Sequence, residues 1–270
     1  MAAGVLDSLM QGPPDGPMAR NPRTDALITP KGRGNTAAML WFIAAGGAVA
    51  VVAAVSAALL MADAGNAAAL KACAVMGVVT LLGSMGLRRA HPHTRLGPAN
   101  LVTLLRAGVA ALVAGALWLP GGIAARPAQA WVLVGLVILA LALDGVDGWL
   151  ARRTGLASDF GARFDMEVDA GLAALLCMLA ILSGKAGFWL IPLGFLRYVW
   201  VLAGMALPWL NRPLPDRLSR KAICVVQIAV LTALLAPVIT PPLSVLLALA
   251  ALVALVWSFG VDALWLWRRR

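Results

Sequence analysis

Charge is scarce in this chain. Only 13% of its 270 residues are charged, where ordinary soluble chains carry about 25%, and just 12 are acidic. A water-soluble globule, a secreted enzyme and an intrinsically disordered chain are excluded on that count. Histidine occurs twice, as His91 and His93 in one His-Pro-His run, with no neighbouring cysteine or acid, so the pair reads as a surface loop and not as a zinc site. The three cysteines, Cys73, Cys177 and Cys224, stand singly inside apolar runs. Without CxxC spacing they read as small packing hydrophobes and exclude a disulfide scaffold. Strict apolar and polar alternation is missing from stretches such as Trp131 to Leu143, which excludes a transmembrane β-barrel. Residues 1–36 lack an apolar run long enough for a signal-peptide core. That Pro- and Gly-containing stretch is expected to be a flexible cytoplasmic tail.

What the chain has instead is hydrophobicity: 61% apolar residues and a mean hydropathy of +0.88. The apolar residues gather into runs of about 18 to 25, the length that crosses a bilayer as a helix. Eight such runs are expected to be transmembrane helices, at Ala37 to Met61, Ala67 to Leu87, Leu101 to Leu119, Trp131 to Leu150, Phe164 to Leu182, Phe188 to Leu210, Ala222 to Ile239 and Leu243 to Trp267. The fold class is therefore all-α, a polytopic helical membrane protein. Trp41, Trp118, Trp131, Trp189, Trp265 and Trp267 fall near run ends, as interfacial anchors do. Gly46, Gly47, Gly83 and Gly86 suit close helix approach.

The basic residues, 22 against the 12 acids, read as topology and not as a nucleic-acid surface; no nucleic-acid partner is expected. With the amino terminus inside, seventeen Lys and Arg fall in inner connections, and only Lys71, Arg126 and Lys185 fall outside. The positive-inside rule then places both termini in the cytoplasm.

Acidic residues inside a span are expensive and mark function by default. Here they cluster. The fourth run ends Asp144-Gly145-Val146-Asp147-Gly148-Trp149-Leu150-Ala151-Arg152, and the fifth begins Gly161-Ala162-Arg163-Phe164-Asp165-Met166-Glu167-Val168-Asp169. At about 100° per residue, Asp144, Asp147, Gly148 and Ala151 share one narrow stripe, and Gly161, Asp165 and Asp169 share another. Two antiparallel helices joined by a short loop bring such stripes together, and four carboxylates in one cavity repel unless cations neutralise them. Hard oxygen ligands suit Mg²⁺ or Mn²⁺ as well as Ca²⁺, and two divalent ions balance four charges. Such a paired site can clamp a diphosphate during in-line displacement at phosphorus. Glu167 points about 200° away from Asp165 and stays outside the site.

This pattern resembles the signature of the CDP-alcohol phosphotransferase family, D-x2-D-G-x2-A-R-x8-G-x3-D-x3-D. All eight fixed positions are met, by Asp144, Asp147, Gly148, Ala151, Arg152, Gly161, Asp165 and Asp169. The resemblance implies cleavage of CDP-diacylglycerol, transfer of its phosphatidyl group to a small polar alcohol and release of CMP. It makes Asp144, Asp147, Asp165 and Asp169 the metal ligands and Asp169 also the catalytic base. Arg152 would meet donor phosphate, and Gly148, Ala151 and Gly161 would let substrate approach the backbone. It further implies six core helices and a homodimer, so residues 98–270 are expected to be the catalytic core. Residues 37–97 are then two additional helices and their connection.

The third run opens Asn100-Leu101-Val102-Thr103-Leu104-Leu105-Arg106, similar to the family's N-x2-T-x2-R opening, which makes Asn100, Thr103 and Arg106 candidates for nucleotide or phosphate contacts. Arg197, near the middle of a run, is a substrate-phosphate ligand or half of a structural ion pair. Arg220 and Lys221 are placed to receive an anionic acceptor or to anchor a helix at the interface, and Asp262 to pair with a neighbouring arginine. The opening motif and Arg197 resemble enzymes that use glycerol 3-phosphate. The run Asp165-Met166-Glu167-Val168-Asp169-Ala170 and the pair Arg197-Tyr198 depart from them, so serine, inositol phosphate and other alcohols stay open. The competing function is a cation transporter with an acidic ion path, which calls for acids through the membrane depth.

Overall fold

The computed structural model describes residues 35–64, 66–90, 96–154, 158–215 and 217–270, with the side chains at 35, 89–90 and 146–154 excepted. The tail expected over residues 1–36 lies almost wholly outside them, as do His91 and His93. Among the described residues the long elements are eight helices: α1 (Asn35–Leu60), α2 (Asn66–Ala90), α3 (Pro98–Ala116), α4 (Pro127–Thr154), α5 (Asp159–Leu182), α6 (Ile191–Ala206), α7 (Leu218–Leu235) and α8 (Leu243–Trp267). Each expected run meets one of them. The ends differ where propensity and hydropathy disagree. Pro98 and Pro127 occupy first-turn positions, where a missing N–H costs nothing, so α3 and α4 start in residues a hydropathy window leaves out. Conversely, the run ending at Leu210 breaks into a short 3₁₀ turn at Pro208–Asn211.

Seven of the eight helices are long and apolar enough to cross a membrane. The exception among the expected eight spans is α5. It has 24 residues, enough length for a bilayer, but Asp159, Arg163, Asp165, Glu167 and Asp169 crowd its first three turns.

The described residues divide into two compact units, one holding those up to Pro120 together with Leu139–Asp169, the other Gly121–Ile138 with Ala170–Arg270. In the first, α3 is the innermost helix, with 72% of its apolar window buried. Helices α1 and α2 pack closely on each other. A Cβ on Gly83 of α2 would lie 2.5 Å from Cζ of Phe42 on α1, so glycine is what lets that ring in.

In the second unit, the stretch after α5 and the end of α7 are tied by Lys185, which is buried. Its Nζ donates to the carbonyls of Ala236 (3.3 Å) and Ile239 (2.5 Å), and Ser244 Oγ donates to the Lys185 carbonyl at 2.6 Å. A cation there ties down carbonyls of the turn that follows α7. Lys185, counted in the sequence as an outer-loop charge, is thus a structural tie. Trp118 and Trp131 are exposed, and Lys71 lies 4.4 Å from the Trp118 ring centroid.

Candidate active site

The site is built in the first unit from α3, the second half of α4 and the first turns of α5. Helix α5 starts where it does because Ser158 caps it: its Oγ accepts the Gly161 N–H at 3.1 Å and its carbonyl accepts the Ala162 N–H at 3.1 Å. A serine before an acidic first turn is a strong helix-start signal. The cap fixes the register of the turns that follow, and Asp165 and Asp169 come one and two turns after Gly161.

From α4, Asp144 meets them. Carboxylate oxygens of Asp144, Asp165 and Asp169 all lie within 4.8 Å of one another, each group partly buried. Arg106 of α3 reaches into the middle. Its Nη1 lies 2.9 Å from Asp144 Oδ1 and donates to Asp165 Oδ1, and its Nη2 donates to Asp169 Oδ1. The arginine side chain is 2% exposed, while the three carboxylates keep about a third of their surface. A buried guanidinium fork with a carboxylate on each arm supplies the counter-charge that three clustered acids require.

Asn100 and Thr103 share the buried side of α3 with Arg106. The Thr103 hydroxyl donates to its own helix, to the Ala99 carbonyl at 3.2 Å. Asn100 faces Gly161, where a Cβ would lie 2.9 Å from Asn100 Oδ1. Gly161 is therefore small because α3 and α5 approach there, which brings the Asn100 amide to the edge of the cluster. Asp147, Gly148, Ala151 and Arg152 continue along α4, and their side chains lie outside the described residues.

The remaining sequence candidates belong to the second unit. Arg220 is held by Asp262, with Nη1 to Oδ2 at 3.3 Å, and by the Pro215 carbonyl at 2.8 Å. Arg217 donates to the other Asp262 oxygen at 3.1 Å. The expected pairing of Asp262 is thus present, with two arginines in place of one. Lys221 is exposed at the start of α7, and Arg197 is partly buried along α6. The role of Arg106 as a shared counter-ion is what sequence reasoning missed. The signal was a long cation three and six residues after Thr103 and Asn100, in the most buried helix.

As a donor set the cluster suits a hard divalent cation: carboxylate oxygens only, no sulfur or imidazole, close together and each partly exposed. Fold and site together define a polytopic helical membrane protein with an acidic, metal-competent cluster where two helix ends meet. A family model, CDP-alcohol phosphatidyltransferase, matches residues 96–258, more than half of the chain, and the protein belongs to that family. No curated protein and no solved structure matches it. Membership makes it a transferase of phospholipid synthesis. It lends no support to the transporter reading, nor does the position of the acids in the last half of one helix and the first turns of the next.

Proposed function

We propose that the protein transfers the phosphatidyl group of CDP-diacylglycerol to a small polar alcohol, glycerol 3-phosphate being the acceptor to test first, and releases CMP. The observation that carries this is the convergence of Asp144, Asp165 and Asp169 on one point, at the spacing of the family motif. The alcohol oxygen forms a bond to the phosphorus that bears diacylglycerol. The anhydride bond to the cytidylate phosphate breaks, its electron pair leaves with CMP, and the alcohol proton passes to the Asp169 carboxylate. Asp144, Asp147, Asp165 and Asp169 would hold Mg²⁺ or Mn²⁺, as two ions, which supply charge neutralisation at the diphosphate.

The chain's own groups do the rest. Arg152 and Arg106 offer guanidinium forks to phosphate oxygens, Asn100 and Thr103 line the same end of α3, and the small Gly148, Ala151 and Gly161 leave room for the nucleotide against the helices. Arg197, Arg220 and Lys221 are the proposed contacts for an anionic acceptor. The orientation proposed from the basic residues puts both termini and the site at the cytoplasmic face, where CDP-lipid is supplied; the homodimer implied by family likeness completes the reading.

The test is purified protein with labelled CDP-diacylglycerol, a panel of alcohols and Mn²⁺. CMP and one new phospholipid should appear together. Hydrolysis without any acceptor lipid, or no turnover with any alcohol, would refute the reading.

A further inference from the structure

The carboxylate-bearing turns of α5 are gripped from a side that the motif does not mention. Phe160 and Phe164, one turn apart, stack with centroids 5.6 Å apart and 7° between planes. Phe42 of α1 meets both edge-on, at 5.8 Å and 78° and at 5.3 Å and 72°. All three rings are buried, Phe42 completely. Phe160 and Phe164 each sit one residue before Gly161 and Asp165, about 100° round the helix. One face of α5 therefore presents acids to Arg106 while the adjoining face is locked against α1.

Gly83 of α2 closes the lock from behind: its missing Cβ would fall 2.5 Å and 2.7 Å from two Phe42 ring atoms. The same pair of helices holds α3. Val49 Cγ1 of α1 lies 2.7 Å from where a Cβ on Gly108 would stand, two residues past Arg106. Helices α1 and α2 thus touch both the helix of the cation and the helix of the acids, although the family match begins only at residue 96.

We propose that Phe42 is a positioning residue for the transfer reaction, an aromatic wedge that sets the rotation of α5 about its own axis and so the approach of Asp165 and Asp169 to Asp144. This rests on the reading of the cluster given above. A carboxylate stands about 5 Å from its helix axis, so a turn of roughly 10° moves it by about 1 Å, and a displacement of that size can cost about 10²-fold in rate.

The experiment uses the full chain in lipid nanodiscs, with Phe42→Leu and Phe42→Ala, Gly83→Ala alone and combined with Phe42→Leu, and Met76→Ala as a buried-core control on α2. Three quantities are read: CMP release, the affinity for Mn²⁺ alone by electron paramagnetic resonance, and the maleimide labelling rate of Met166→Cys on α5. The labelling background has Cys73, Cys177 and Cys224 replaced by alanine. Phe42→Ala should lower kcat by about 10²-fold, weaken Mn²⁺ binding at least tenfold and change the Met166→Cys rate severalfold. Phe42→Leu should do the same to a smaller degree. Gly83→Ala should resemble Phe42→Leu when alone, because its methyl pushes the ring, and should restore function within about threefold when added to Phe42→Leu.

Unchanged labelling at Met166→Cys in both Phe42 variants would overturn the wedge. So would an equal loss in a Met76→Ala protein destabilised to the same extent. If the wild-type chain binds no Mn²⁺ while the labelling shift is present, the metal reading fails and the wedge stands.

Discussion

Replacing Arg106 by glutamine removes the buried cation that three carboxylates share, and the structure sets the scale of the consequence. Three unit charges with oxygens within 4.8 Å of one another repel pairwise by about 3.5 kcal/mol at an effective dielectric of about 20, or roughly 10 kcal/mol for the three pairs. Arg106 at 2.9 Å from Asp144, and closer to the other two, more than offsets that. The carboxylates are about a third exposed, so water recovers part of the loss. The expected cost to the metal-free protein is therefore that of breaking a buried pair, about 3–5 kcal/mol, or roughly 10 °C in Tm for a chain of this size. A divalent cation reverses the comparison, because in the wild type it competes with the guanidinium for the same oxygens. Mn²⁺ should bind Arg106→Gln more tightly and raise its Tm by several degrees more than it raises that of the wild type, following ligand linkage. Thermal melts in nanodiscs, with chelator and across a Mn²⁺ titration, read both quantities. Equal stability without metal, or an equal or smaller Mn²⁺ shift in the variant, refutes the counter-ion argument.

Other outcomes follow from the same geometry. Asp144→Asn, Asp147→Asn and Asp165→Asn should each abolish CMP release and blunt its divalent-ion dependence; activity surviving excess chelator contradicts this. Asp169→Asn should lower kcat by about 10²–10⁴, the worth of a general base, while CDP-diacylglycerol binding by calorimetry persists; parallel loss of binding would instead make it chiefly a ligand. A cysteine added after Arg270, or placed between Arg152 and Arg163, should react with an impermeant thiol reagent only from the cytoplasmic side. Burial pulls the Lys185 ammonium below its ordinary 10.5, so the unfolded chain binds more protons between that lowered value and 10.5. Stability should therefore rise with pH across that window. The rise should vanish in Lys185→Met; a slope that persists there belongs to another group.

The helices were legible because bilayer spans are apolar over a fixed length, and α8 appears in the structure over Leu243–Trp267, as the hydropathy run gives it. The acidic constellation was legible because helix periodicity places Asp144 on one stripe and Gly161, Asp165 and Asp169 on another before any packing is known. Partners that come from distant sequence were not. Nothing local in Arg106 says that it will bridge three carboxylates. Nothing local in Lys185 says that its charge is spent on two carbonyls. Gly83 was marked as a close-approach position, but that an aromatic ring 41 residues earlier in the chain fills the space is a property of the packed helices.

Two helices break the hydropathy rule in opposite senses, and one cause accounts for both. Helix α3 is apolar enough to span, yet its buried side carries Asn100, Thr103 and Arg106. Helix α5 is long enough to span, yet its opening turns are too acidic. A charge of either kind is costly in hydrocarbon when alone, and a half-satisfied polar cluster is worse than none. Placed against each other, the cation of α3 offsets part of the charge of the acids on α5 and α4, with the cation itself buried among them. The polar side of α3 is inward for the same reason that the acids are tolerated at all. The chain can therefore keep a concentrated negative site only while α3, α4 and α5 hold their relative rotation. That requirement falls on contacts such as Phe42 with Phe160 and Phe164, whose flat rings fix an angle where aliphatic side chains would let it drift.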